Sequence, residues 1–239
     1  MVLPAASAVA RDLAHVLWIG GAPDAGKTTI AHLLAERHRW QWYPCDAHAH
    51  NHLNLIAHAD PAQHPAMYAK LGTSIDELWV HPTPAELLQS IVAINHERFP
   101  LILADLRAMP TRPLLLAEGS SLHPELVAPL LTTQHQAIWL VPSEAFARAS
   151  ATRRDKPRRR DRSSDPERYR QNLLERDRLF AEHIRREVAA QGGALIDVDG
   201  TQTIEEVAHR VEEHFAPYLG TDHGRPSEGR AAPGSNVRA

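Results

Sequence analysis

The sequence predicts an α/β fold in three layers, with a five-stranded parallel sheet between helices. Three observations predict it. Five short apolar runs recur along the chain, bounded by glycine, proline or acidic residues. Segments with helical spacing and capping signals alternate with these runs, as expected of parallel strands joined by right-handed crossovers. A glycine-bearing turn joins the first run to the first helical segment, at the carboxyl end of that strand.

The first run, His15–Gly20 (HVLWIG), reads as a buried strand, and from Lys27 to about Arg39 the residues Ile30, Leu33 and Leu34 share one helical face. WQWYPCD, 40–46, is the second strand, and the His-rich, proline-broken stretch that follows reads as irregular or loosely helical. Ser74 with Glu77 and Thr83 with Glu86 form capping boxes. The second box, with Pro84 at the first helical position, opens a helix expected to stop before Pro100, and LILADLRAM reads as a further short helix. PLLLAEG, 113–119, is a continuous apolar run suited to a fully buried third strand, and HPELVAPLL is helical. AIWLVPS, 137–143, is the fourth strand, with Ser143 placed to cap EAFARASATRR. Asp165-Pro166 opens a long helix to about 191, which Gly192-Gly193 closes. ALIDVDG, 194–200, is the fifth strand, and Thr203 with Glu206 caps the last helix.

The 239 residues, 43% of them hydrophobic, suffice for one domain over 1–219, while the Gly-, Pro-, Ser- and Arg-rich tail 220–239 reads as disordered. A net charge of −3 gives no global attraction to nucleic acid. The single Cys45 rules out an internal disulfide. With no basic leader segment and no apolar stretch of about 18 residues, the expected location is the cytoplasm, without membrane attachment. Oligomeric state is not encoded in any pattern we recognise.

The chemistry is concentrated in Gly21-Ala22-Pro23-Asp24-Ala25-Gly26-Lys27-Thr28, which matches G-x-x-x-x-G-K-[ST] between a strand and a helix. Glycine lets successive backbone N–H groups turn inward around a phosphate, and the helix start adds its positive dipole end. Lys27 supplies a point charge, the Thr28 hydroxyl a Mg²⁺ ligand, and Thr29 completes the segment. Asp46, at the end of the second expected strand, is placed to act as general base on an acceptor hydroxyl. Glu118, at the end of the third, is placed to hold Mg²⁺ through a water. Asp105 competes for that role, since LILAD alone would pass as an acid-terminated strand; Glu118 is preferred because turn signals bound its run. RRDKPRRRDR, 153–162, carries seven basic residues among ten and falls where a lid over a triphosphate would lie, about 152–165. Arg153 and Arg154 continue the preceding helix and are its best-placed members. His48, His50 and His52 lack a cysteine or a second acidic cluster to complete a metal site, and His48 is a candidate substrate contact beside Asp46.

Together these residues resemble the P-loop small-molecule kinases of the nucleoside monophosphate kinase group, which includes adenylate kinase, shikimate kinase and the chloramphenicol phosphotransferases. The chain is also similar to bacterial kinase-like ATP-binding proteins without an assigned substrate. The likeness spans roughly 14–216 and rests on the phosphate loop, the acid after strand two, the arginine segment after strand four and VDGTQTIEEVAHRV. It implies a P-loop NTPase fold with ATP and Mg²⁺ at Lys27 and Thr28, Asp46 facing the acceptor, and Arg153 or Arg154 in the lid. It also implies that Asp199, Gly200 and Thr201 pack on adenine, and that the helical insert of about 47–112 binds the acceptor. Where shikimate kinases carry a second acid, this chain has His48. The implied activity is transfer of the γ-phosphoryl group to a small hydroxylated or phosphorylated acceptor, with nucleosides, nucleotides and antibiotic-like molecules in range. The alternative is a nucleotide-switched ATPase or binding module with no small-molecule acceptor. A guanine-reading N-K-x-D motif is absent from the sequence.

Overall fold

The computed structural model describes residues 10–153 and 160–219. Five strands form one sheet: β1 (Val16–Gly21), β2 (Gln41–Pro44), β3 (Leu115–Glu118), β4 (Ala137–Pro142) and β5 (Ala194–Val198). Their order is β2-β3-β1-β4-β5, and every neighbouring pair is parallel.

Strand side chains alternate between two separate cores, which is why the central strands are apolar on both faces. Val16 and Trp18 of β1 and Trp139 of β4 pack on one side against Phe99, Ile102 and Leu106 of α5 (Pro84–Ala108) and Phe180, Ile184 and Val188 of α8 (Pro166–Gln191). Leu17 and Ile19 pack on the other against Ile30 and Leu34 of α1 (Lys27–His38) and Val207 and Val211 of α9 (Ile204–His214). The remaining helices are α2 (Ala49–Ile56), α3 (Pro65–Tyr68), α4 (Ile75–Trp79), α6 (Pro124–Val127), α7 (Glu144–Arg153) and α10 (Ala216–Leu219). The predicted capping boxes at Ser74, Thr83 and Thr203 are all formed, and Asp165 and Gly192 bound α8 as expected. Among the described residues, no helix is long and apolar enough to cross a membrane.

Two expectations are corrected. The second strand ends at Pro44, so Asp46 stands within a 3₁₀ turn, Cys45–His48, and the His-rich stretch after it includes the regular helix α2. More consequentially, α5 runs through Pro100 without a break and takes in LILAD, so Asp105 lies on a helix and not at a strand end. Proline inside a helix costs about 3 kcal/mol, which is why a stop was expected. Here Pro100 is exposed, while Phe99, Ile102, Leu103 and Leu106 on the inner face are buried. Burial of each such side chain contributes about 1.5–3 kcal/mol, so their sum outweighs the proline.

Two substitutions separate these terms. Ile102→Ala, at a fully buried position, should lower the free energy of unfolding by about 2–5 kcal/mol in urea denaturation. Pro100→Ala should raise it by up to about 3 kcal/mol, because an N–H returns to the helix at no loss of buried surface. Destabilisation by Pro100→Ala would show that the ring itself packs.

Candidate functional site

In an open parallel sheet, ligands collect at the carboxyl ends of adjacent strands whose connections leave in opposite directions. β1 and β4 are such a pair, since β1 is followed by β2 on one side of the sheet and β4 by β5 on the other. Residues 22–26 span this crevice. Gly21 has φ +124°, and a Cβ there would overlap the Leu140 carbonyl of β4. Ala22 N–H donates to that carbonyl at 3.1 Å. The chain then turns through two further left-handed residues, Asp24 (φ 60°) and Gly26 (φ 77°). Gly26 is the N-cap of α1, with no side-chain cap and no acid in the first helical turn. The helices opening at Ser74, Thr83 and Thr203 satisfy their first N–H groups with hydroxyl and glutamate side chains. The start of α1 therefore carries its dipole unneutralised by any side chain of its own, a geometry suited to an anion.

Lys27 crosses the same loop. Its side chain is buried, and Nζ donates to Ala22 O at 2.6 Å. Burial lowers its pKa, opposed in decreasing order by Asp46, Glu118, Asp24 and Asp177. Carboxylates on four separate elements thus act at longer range on one buried ammonium. The Glu118 carboxyl is 2% exposed, and burial raises its pKa against the pull of Lys27. Thr28 Oγ1 donates to Glu118 Oε2 at 3.3 Å. Of the two acids competing for the place beside Thr28, Glu118 holds it. Thr29 faces solvent on α1.

Asp105 has a different setting. It accepts hydrogen bonds from Tyr43 Oη and, at 2.9 Å, from His52 Nε2. His52 is buried, and its Nδ1 accepts from Arg98 Nε at 3.1 Å, which fixes the neutral tautomer; burial is the main cause of its lowered pKa. Arg98, 5% exposed, also donates to Ser121 Oγ at 2.9 Å and to the Cys45 carbonyl. Its Nη1 lies 3.9 Å from Asp46 Oδ1. Asp46 itself is well exposed, beside Gly119, where a Cβ would crowd Cys45. His48 stacks on Tyr43 and stands 4.0 Å from Asp105, so it belongs to the support of this network. Arg98 went unnoticed in the sequence because it sits mid-helix with no motif around it.

Asp177 of α8 is the second residue that sequence reasoning missed. Burial raises its carboxyl pKa to about 6, with Asp24 adding to the rise and Arg176 and Lys27 opposing it. Arg176 Nε lies 2.7 Å from Asp177 Oδ1 without hydrogen-bond alignment, so both buried atoms lack a bonded partner. No sequence signal marks it, since it is one charge among many in LLERDRLFAEH.

Three cavities adjoin these residues. One of about 610 Å³ lies between Pro23 and Asp24, α7 and α8. A larger one, about 1230 Å³, is lined by Leu53, Lys70, Trp79, Arg162 and Arg176, among others. A third, about 240 Å³, is walled by Gly26, Ile30, Phe146, Ser150, Gln202, Thr203 and Ile204. Asp199 and Gly200, expected at that third position, do not line it. Asp199 instead accepts from Thr201 N and Oγ1, and a Cβ at Gly200 would meet the Phe146 ring. Arg153 is the final residue of α7; Arg154, like Arg158, Arg159 and the tail 220–239, lies outside the described residues. Of the basic segment, Arg162 reaches the large cavity and Arg160 donates to Asp161 at 3.0 Å.

No protein-family model matches this sequence, and no curated protein matches it.

The raised pKa of Asp177 has a thermodynamic signature. Between pH about 4 and 6 the folded state holds a proton that the unfolded state has released, so stability falls as pH rises through this window. Asp177→Asn should abolish that fall and raise stability at pH 7 by about 1–3 kcal/mol, read from urea denaturation at several pH values. An unchanged pH profile would place the titration elsewhere.

Proposed function

We propose that the chain is an ATP-dependent phosphotransferase of P-loop NTPase fold, acting on a small hydroxylated or phosphorylated acceptor. The observation that carries this reading is the uncapped start of α1, bent over a loop whose own lysine is buried across it. The residues fit the group. Residues 21–29 would hold a polyphosphate with backbone N–H groups and Lys27. Four carboxylates around one ammonium leave the locus acidic, so a phosphate chain would need a divalent cation, and Thr28 with Glu118 offers the hard oxygen ligands that Mg²⁺ takes. The 240 Å³ cavity, apolar on Ile30, Phe146, Val198 and Ile204 with Ser150 and Thr203 at its edge, suits a planar base. Bound ATP would supply the activated phosphoryl group.

The chain's own residues would do the rest. Lys27 sets position and charge. Asp46, exposed and oriented from behind by Arg98, would accept the acceptor hydroxyl's proton. The Tyr43–Asp105–His52 relay locks Arg98, so its contribution is positioning. The acceptor would occupy the 1230 Å³ cavity, between Leu53–Ile91 of the insert and the basic edge formed by Lys70, Arg162 and Arg176. With Glu77 and Glu86 also in the lining, the basic residues would take an anionic or phosphorylated part of the acceptor and the acids its hydroxyls. Arg153 and Arg154 are proposed as part of a lid over the phosphates.

Lys27→Ala and Asp46→Asn test the two halves separately. With ATP and Mg²⁺ at about a hundredfold over Kd, the wild-type melting temperature should rise by roughly 5–10 °C. Lys27→Ala should lose that rise together with all transfer. Asp46→Asn should keep the rise and lose transfer to any acceptor found in a metabolite panel. ATP turnover with no acceptor consumed, unchanged in Asp46→Asn, would favour a nucleotide-switched ATPase over a kinase.

A further inference from the structure

Away from the phosphate loop, three helices and the β3–β4 connection converge on one carboxylate. His96 Nε2 of α5 lies 2.9 Å from Glu125 Oε1, and His123 Nδ1, at the N-cap of α6, lies 3.2 Å from the same oxygen. His183 Nε2 of α8 stands 3.9 Å from it. The ligand atoms of His96, His123 and Glu125 lie within 4.8 Å of one another. Three side chains with nitrogen or oxygen donors therefore lie close enough for a single ion, and His183 stands beside them as a further donor.

Hydrogen bonding alone leaves this cluster incomplete. Glu125 Oε2 and His183 Nε2 are both buried with no hydrogen-bond partner. An orphaned carboxylate oxygen in the interior is costly, and a cation beside it would remove that cost. The spacing also suits a metal. Bonds of about 2.1 Å in tetrahedral geometry set ligand atoms about 3.4 Å apart. The observed 2.9, 3.2 and 3.9 Å bracket that value. An outer shell is in place as well, because the buried Asn95 amide lies 2.9 Å from His123 Nε2. The amide presents its Nδ2 to Nε2, which leaves the Nδ1 proton facing Glu125; zinc binding would require the amide to rotate its oxygen toward Nε2–H and free the Nδ1 lone pair.

We propose that His96, His123 and Glu125 form a zinc site which the unpartnered His183 joins from α8 when the ion binds, so that the metal clamps α5 and α8 to the segment following β3. Three imidazoles and one carboxylate are a donor set that zinc accepts in four-coordination, whereas magnesium and calcium call for oxygen ligands. The position gives the site a structural consequence. His123 lies five residues after Glu118, and His96 two residues before Arg98, so the clamp holds the backbone that carries both toward the phosphate loop. The inference does not depend on the proposed function, since it requires no nucleotide.

The test uses the full chain, stripped with a chelator and titrated with Zn²⁺ by calorimetry, with bound metal measured by elemental analysis after gel filtration. One zinc per chain is expected, with a rise in melting temperature of roughly 5–10 °C at zinc a hundredfold over Kd. Glu125→Gln keeps the side-chain shape, and His96→Ala alters a side chain that is 43% exposed, so both should keep the wild-type circular dichroism. Both should bind zinc at least tenfold more weakly. His135→Ala, which alters a surface histidine whose ring is tilted against that of His214, should bind as wild type does. Substoichiometric zinc in the wild type, or wild-type affinity in both cluster variants, would overturn the proposal.

Discussion

The burial of one ammonium organises the end of this molecule where β1 gives way to α1. Lys27 is folded back under its own loop, and a buried charge is tolerated only where partners replace its water. The Ala22 carbonyl is one partner, and the other influences come from Asp24 in the loop, Asp46 after β2, Glu118 at the end of β3 and Asp177 in the middle of α8. These four lie up to about 150 residues apart, and only the strand order β2-β3-β1-β4-β5 brings their elements around the end of β1. The arrangement also requires a backbone that lets β1 end hard against β4. Gly21 provides it, since any side chain there would collide with Leu140.

Around that charge the site is built as two shells with different tasks. Thr28 and Glu118 face each other directly across the loop's helix. Arg98, His52, Asp105 and Tyr43 form a chain of hydrogen bonds that ends 3.9 Å from the exposed Asp46. Each buried member has its donors and acceptors matched, which is the condition under which a buried polar network adds rigidity without penalty. Asp177 is the exception. Its carboxyl lies close to Arg176 yet unaligned, and burial in the cavity wall beside Asp24 raises its pKa. Perturbed carboxyls of this kind concentrate at functional sites.

Local signals in the sequence were dependable wherever one element's own residues decided the outcome. The strand–turn–helix around Gly21–Thr28, the capping boxes at Ser74, Thr83 and Thr203, the Asp165 start and the Gly192 stop all depend on neighbours a few residues away. They are satisfied within the local backbone, so spacing reveals them. Pro100 misled for the opposite reason. Its local effect is to end a helix, and burial of Phe99, Ile102, Leu103 and Leu106 against a distant sheet overrode it. The helical spacing of LILADLRAM held all the same, and it places Asp105 in a relay with His52 and not beside Thr28.

By itself, then, the sequence determined the α/β class, the five strands and the position of the loop, since periodicity and capping are short-range. Tertiary structure alone decided that Arg98 stands behind Asp46, that Asp177 lies in the cavity wall beside Asp24, and that His96, His123, Glu125 and His183 converge. Those pairings join residues far apart along the chain, and a charge carries no mark of its partner until burial removes the water between them.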